Sequence, residues 1–447
     1  MAAAAGALFA TIDKAKLGKI EAEINGDAEF KASAATVDNV CFGICAPNSS
    51  DKLLFGIKQG KVTVRDGPPA GDDWTPQFDL NAQAEHWQEV FAPVPKRPFQ
   101  SYWGMLRLLG QSSGVEVTGD KQAFTKHARL WRIVLDRVRD ALHPPPAATS
   151  TVAEEYTPDD ERDDDSIVGH YTWLTLSPVG KCKIFYETSG QGEQDLLFLH
   201  TAGADSRQYH SLMLNPALQR RCTMYAFDLP GHGRSFPGTH QYPQSYANSE
   251  EFYISAIHQM IVKLKLKRVI VSGASMGGQV CLAVALRASS QEMDVRGVIA
   301  CEACDYLPSQ QASTIYSLQG DESILNAERV CGMISPTSPA IYKRLNWWLY
   351  SAQASRIFPG DLKFYFDGWD GRDRMHQIDT DVCPVYMLTG EYDYSCSPDT
   401  SRATADKIKG AVFEEMKGLG HFPFSEDPER FLPYFVKALD HITTSNR

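Results

Sequence analysis

From residue 168 onward, short apolar runs alternate with stretches whose apolar residues recur at helical spacing. Strands are predicted at Trp173–Leu176, Ile184–Tyr186, Leu196–His200, Met224–Asp228, Val269–Gly273, Gly297–Cys301, Val385–Thr389 and Val412–Met416. Helical stretches such as Ser249–Lys263, Gly277–Ala288 and Pro398–Ile408 lie between them. Apolar strands joined by helical crossovers predict an α/β fold: a mostly parallel sheet with helices on both faces. The interval between Cys301 and Val385 is too long for a simple crossover and is rich in aromatic residues, so an inserted cap is predicted over roughly 305–381.

Before residue 144 the pattern is different. Leu53–Ile57 and Lys61–Arg65 flank Gln59-Gly60 and read as a hairpin, Phe78–Leu80 and Val115–Val117 as further short strands. Asp120 is placed to cap a helix running to about Leu142, whose apolar face includes Phe124, Trp131, Val134 and Val138. This predicts a smaller α+β domain over 1–143. His143-Pro-Pro-Pro146 stops the helix, because proline lacks the N–H and clashes with the preceding turn. Residues 144–167 are predicted to be an extended linker, and 168–447 the second domain.

Charge sharpens that boundary. The 447 residues carry a formal charge of −11. Residues 1–150 hold 17 basic and 17 acidic side chains, whereas 151–165 hold eight acids and one Arg, a net of −7. Most of the acidity therefore belongs to the linker, where like charges repel and stay solvated. An acidic chain without a basic face disfavours a nucleic-acid partner. No apolar run is long enough for a membrane span, and the opening MAAAAGALFATIDKAK lacks the basic stretch of a secretory leader. The ten cysteines sit mostly in apolar runs and are expected to be reduced and buried, with the cytoplasm as compartment. Cys301-Glu-Ala-Cys304 has redox-motif spacing, but no second Cys or His pair completes a metal set, so no metal or cofactor is expected.

Gly-x-Ser-x-Gly occurs twice, at 110–114 and 273–277. Chance alone gives about 0.15 matches in a chain of this length, so context decides. A strained strand-to-helix turn that exposes a nucleophile needs a buried strand entering and a helix leaving. Arg268-Val-Ile-Val-Ser-Gly273 and Gly277-Gly-Gln-Val-Cys-Leu provide both around Ser275, while Ser112 is followed by a strand-like segment and reads as a loop serine. A serine hydroxyl needs a base, and the base an orienting acid. His421, after the last strand, is the base candidate, and Asp393, just past Val385–Thr389, the acid candidate. The oxyanion donors are expected to be the backbone N–H groups of Met276 and of Ala202, the latter in the small-residue loop after Leu196–His200.

These segments resemble the α/β-hydrolase fold family over roughly 169–447: HTAG at 200–203, DLPGHGRS at 228–235, GASMGG at 273–278, GEYD at 390–393 and GLGHFPFSEDPERF at 418–431. The resemblance implies Ser275 as nucleophile, Asp393 as acid and His421 as base, in the chain order Ser, Asp, His. Glu302 stands where some family members carry the acid instead. Thr201 departs from the family's usual glycine at that place. The resemblance leaves the substrate open among esters, thioesters and lactones, with carbon–carbon bond hydrolysis of a β-diketone or ring-fission product by the same triad as the alternative. Arg207, Glu302, Trp347 and Trp348 are candidate contacts to a small apolar or ring-containing substrate, with Arg344 a further candidate for a carboxylate.

The first ~143 residues are similar to a sterol-carrier-protein-2-like domain, through KLLFGIKQGKVTVRD, FDLNAQAEHWQEVF and GMLRLLGQSSGVEVTGDKQAFTKHARLWRIVLD. That similarity implies an apolar groove for lipids or an accessory role. A packing or homodimerisation module is the competing expectation, and a lipid-binding protein with a secondary hydrolase half is the third functional reading.

Overall fold

The computed structural model describes residues 12–47, 52–67, 74–143, 166–241, 246–309 and 320–445. All but the last two residues of the predicted linker lie outside the described residues. The chain forms two compact units, one comprising 1–151 with 311–332, the other 152–310 with 333–447.

The first unit has a five-stranded sheet in the order β3-β2-β1-β4-β5. Its strands are β1 (Asn39–Cys45), β2 (Lys52–Lys58), β3 (Lys61–Gly67), β4 (Phe78–Asn81) and β5 (Glu116–Gly119). Only β1 and β4 pair in parallel. The sequence pattern missed β1 because it is buried at all but its first residue, so no alternation marks it. The register sets Phe42 opposite Phe55 and Phe78, with ring centroids 5.1 and 5.4 Å apart. Trp103, Phe124 and Trp131 continue this aromatic core. The helix predicted from Asp120 breaks at His127, whose φ and ψ of −102° and 22° are not helical, into Lys121–Lys126 and Ala128–Leu142.

One prediction needs correction here. Residues 311–332, assigned to the cap by sequence, belong to the first compact unit. The helix Glu322–Cys331 places Leu325 in that unit's core. Its Glu328, which has no exposed side-chain surface, accepts from Arg132 Nε at 2.6 Å, and Arg132 also reaches Glu29 at 2.8 Å. A buried carboxylate needs a partner of this kind, and the first unit supplies it.

The second unit has an eight-stranded mixed sheet in the order β13-β12-β11-β10-β8-β9-β7-β6. Its strands are β6 (Val168–Leu176), β7 (Gly180–Ser189), β8 (Gln194–Leu199), β9 (Cys222–Phe227), β10 (Val269–Ala274), β11 (Val295–Cys301), β12 (Val385–Gly390) and β13 (Val412–Met416). From β9 to β13 every pairing is parallel, whereas β6 and β7 run antiparallel. β10 is buried at every position, as a central parallel strand must be, while β6 at the edge exposes alternate residues. The helix Glu250–Leu264 starts where Ser249 caps it, its hydroxyl accepting the Phe252 N–H, and acids at 250 and 251 complement the helix dipole. The registers Gly273↔Leu199, Ala274↔Cys301 and Cys301↔Leu388 align the carboxyl ends of β8, β10, β11 and β12 at one edge of the sheet. All ten cysteines are free thiols. Among the described residues no helix is long and apolar enough to cross a membrane.

Candidate active site

Ser275 follows β10 directly and has φ 58° and ψ −120°, a conformation that L-residues avoid unless the surroundings enforce it. The enforcement is visible. The Ser275 N–H donates to Cys301 O at 3.0 Å, and the helix Met276–Ser289 leaves at once. A Cβ at Gly277 would stand 2.5 Å from Leu199 O, so only glycine lets helix and strand approach this closely. Met276 is the first residue of that helix, so its N–H has no partner within the helix. Ser112, the other motif serine, is exposed in the short helix Gln111–Ser113 of the first unit and donates to Leu109 O at 3.4 Å.

His421 and Asp393 come from the segments after β13 and β12 and meet each other. His421 Nδ1 donates to Asp393 Oδ2 at 2.7 Å, and both side chains are buried. The other carboxylate oxygen, Oδ1, accepts the N–H groups of Ser395 at 2.6 Å and Cys396 at 3.0 Å, which hold the carboxylate in place. With Nδ1 committed to the carboxylate, Nε2 is the nitrogen available as a base. Glu426 secures the histidine's backbone: its carboxylate accepts from Gly420 N at 2.5 Å, Phe422 N at 3.1 Å and Ser335 N at 3.3 Å. Burial pushes Glu426 up to about 7 against the pull of those N–H donors. Nothing in the sequence reading singled out Glu426, although it lies five residues after His421.

The loop after β8 is held from three sides. Thr201 N–H donates to Gln208 Oε1 at 3.0 Å, Gly203 N–H to Asp361 Oδ2 at 2.8 Å, and Ala204 N–H to Thr201 O at 3.2 Å. Of the four N–H groups in 201–204, that of Ala202 is the one with no acceptor among the described residues. Thr201, at the unusual position, is fixed further by hydrogen bonds of its hydroxyl to Gln208 Oε1 and to the Tyr350 hydroxyl. Gln208, Tyr350 and Asp361 were missed by sequence reasoning, since two of them come from the inserted segment and act only through tertiary contacts.

His200 Nε2 accepts Leu229 N–H at 3.1 Å, so its proton sits on Nδ1 and is donated to Thr201 O at 2.8 Å. Burial and the neighbouring His232 push His200 down to about 4, and it is neutral. It braces the loop.

The predicted substrate contacts fare differently. Arg207 is engaged by Asp205, with Nε at 2.8 Å and an Nη at 2.6 Å from the carboxylate, and stacks on Trp348 at 4.5 Å. The guanidinium thus has a carboxylate of the protein itself as partner. Glu302 directly follows β11. It is fully buried, accepts Gly390 N–H at 3.1 Å, and is pushed well above the ordinary carboxylate range by burial and by the nearby Asp393. It faces strand ends, and His421 pairs with Asp393. Trp347 is half-buried and Trp348 is 51% exposed on the helix Ala340–Ser351, where Arg344 is also exposed.

A profile described as the alpha/beta hydrolase family matches residues 196–433. An uncharacterized protein of Mycobacterium tuberculosis is 26% identical over 282 residues, which is 57% of this chain and 77% of that one. A pimeloyl-[acyl-carrier protein] methyl ester esterase of Edwardsiella ictaluri is 31% identical over 103 residues, 23% of this chain and 35% of that one. Among solved structures, a thermophilic esterase from Thermogutta terrifontis superposes with a TM-score of 0.51 at 18% identity, covering 61% of this chain and 99% of that one. A hydrolase from Pseudomonas aeruginosa gives a TM-score of 0.51 at 20% identity, covering 60% and 98%.

Proposed function

Starting from a chain that belongs to the alpha/beta hydrolase family, we propose that it is a serine hydrolase cleaving an ester, thioester or lactone of a small apolar or ring-containing molecule. The observation that carries this is the strained Ser275 on the same sheet edge as a buried His421–Asp393 pair joined at 2.7 Å. His421 Nε2 takes the proton of Ser275 as its oxygen attacks the carbonyl carbon. The N–H groups of Ala202 and Met276 receive the oxyanion, and Asp393 stabilises the imidazolium. His421 then protonates the departing oxygen or sulfur, and water releases the acid from the acyl-enzyme by the same steps in reverse. The partial identity to a methyl ester esterase favours ester over carbon–carbon cleavage.

For the first unit, the packing reading is favoured over a lipid groove. Its interior is occupied by stacked aromatic rings and by Leu325.

The test is turnover of a panel of p-nitrophenyl esters, aryl thioesters, lactones and β-diketones by wild type, Ser275→Ala and His421→Ala. An acid plus an alcohol or thiol is the expected product pair, with losses of ~10³-fold or more in both variants. Release of an acid plus a ketone from the diketones alone would move the reading to carbon–carbon hydrolysis.

A further inference from the structure

Asp361 lies in the helix Ile357–Lys363 of the inserted segment and is fully buried. Burying a carboxylate is costly unless its lone pairs are met, and here four donors meet them. Oδ2 accepts from Gly203 N at 2.8 Å and from His232 Nε2 at 2.8 Å, while Oδ1 accepts from the Tyr246 hydroxyl at 2.9 Å and Asn248 Nδ2 at 3.3 Å. The second nitrogen of His232, Nδ1, faces Pro230 O at 3.3 Å. Both ring nitrogens therefore point at oxygens, the arrangement that favours the doubly protonated imidazolium. Burial opposes that charge, but the Asp361 carboxylate outweighs it, and His232 holds its proton above the ordinary histidine range.

The pair lies beneath the loop that follows β8. Two of its connections lead to the residues around the proposed oxyanion donors. Gly203 is the residue after Ala202, and the Asn248 amide that bonds Asp361 also donates to Met276 Sδ at 3.3 Å. Gly203 has φ +61°, and a side chain there would run into the ring of Phe358, from the same helix as Asp361. The helix thus both covers the loop and anchors it.

We propose that Asp361 is the positioning residue of the oxyanion hole: paired with His232, it orients the N–H of Ala202 through its bond to the next residue, Gly203, and holds Met276 through Asn248, which bonds that residue's sulfur. The proposal rests on the acyl-transfer reading of Ser275. Asp361 touches no reacting atom. Its effect is preorganisation, which lets the donors stabilise developing charge without rearranging at the moment of reaction.

The test compares Asp361→Asn, Asn248→Ala and Ser275→Ala with wild type, on the ester that wild type hydrolyses fastest and with a trifluoromethyl ketone inhibitor. The ketone's adduct with a serine places an oxyanion in the same hole. Asp361→Asn is expected to lower kcat roughly 10–100-fold, less than the ~10²–10³ of losing a donor outright. KM should stay within about threefold, and ketone affinity should fall by the same factor as kcat/KM. Asn248→Ala, which leaves the ion pair in place, is expected to shift kcat and ketone affinity the same way by a smaller factor. A folded Asp361→Asn protein with wild-type kcat overturns the proposal, as does a loss confined to KM with ketone affinity unchanged. If Asp361→Asn does not fold, Asn248→Ala decides by the same criteria. Ser275→Ala separates the two levels. Full turnover in that variant overturns the acyl-transfer reading and this proposal with it, whereas an inert Ser275→Ala beside a fully active Asp361→Asn overturns this proposal alone.

Discussion

Arg132 and Glu328 are 196 positions apart in the chain and joined by a 2.6 Å hydrogen bond between a half-buried guanidinium and a fully buried carboxylate. Removing Glu328 leaves Arg132 with Glu29 and Asp136, so the cost is that of a lost hydrogen bond between charged groups, about 1.5–3 kcal/mol. Glu328→Ala is therefore expected to destabilise the first unit by about that amount, read as a lower urea midpoint, and Arg132→Met/Glu328→Met to recover much of it. A Glu328→Ala protein as stable as wild type contradicts the pairing.

The same relationship bears on truncation. A chain beginning at Ser166 keeps Glu322–Cys331 but loses the core in which Leu325 is 2% exposed and the arginine that Glu328 requires. Such a chain is expected to aggregate, and one that also replaces 311–332 with a short Gly/Ser linker to be more soluble. Sedimentation of both tests this. Equal solubility of the two contradicts the assignment of 311–332 to the first unit.

Glu426 carries a prediction for catalysis. It accepts the N–H groups on either side of His421 and that of Ser335. Glu426→Ala frees three buried donors, each worth about 1–3 kcal/mol when left unsatisfied, and lets the imidazole shift. A displacement of ~1 Å can cost on the order of 10²-fold, so kcat is expected to fall roughly 10–100-fold with KM little changed. Steady-state kinetics on the preferred ester decides it.

Two buried groups give opposite pH signatures. His200 is depressed from an ordinary 6.5 to about 4, mainly by burial. The folded state then binds fewer protons than the unfolded, so its contribution is intact above pH 6.5 and declines as pH falls toward 4. The gap corresponds to roughly 3 kcal/mol. Glu426 is raised from 4.5 to about 7, again mainly by burial. Its contribution is intact below 4.5 and is lost as pH rises through 7. The two partly cancel in wild type, so the difference between His200→Asn and wild type isolates the histidine. The variant's stability deficit at pH 7.5 is expected to shrink steadily toward pH 4.5, measured by urea unfolding. A constant deficit rejects the buried neutral imidazole.

The parts of the site that the sequence made legible are those formed by local chain order. Ser275 stood out because β10 enters and a glycine-rich helix leaves within a few residues, and Ala202 because small residues follow a buried strand. The pieces that were not legible depend on long-range encounters. Asp361 is a single acid in an aromatic run and acquires meaning only when Gly203 and His232 close on it. Glu328 looked like part of a cap because the chain position of 322–331 lies between two strands of the larger sheet. Arg207 is the opposite case: its partner, Asp205, lies two residues away in the sequence, a short-range pairing that chain order alone makes legible. β1 escaped because burial on both faces erases the alternation that marks a half-exposed strand.

Ser112→Ala, in the exposed second motif, is expected to leave kcat and KM of the preferred ester unchanged. A large loss there would contradict the distinction drawn between the two motifs.

Covalent labelling tests the central claim most directly. Wild type treated with a fluorophosphonate is expected to gain one adduct by intact mass, mapped by peptide sequencing to Ser275, and Ser275→Ala to gain none. An adduct on another serine, or a wild type that stays unmodified while it turns over ester, would contradict the account.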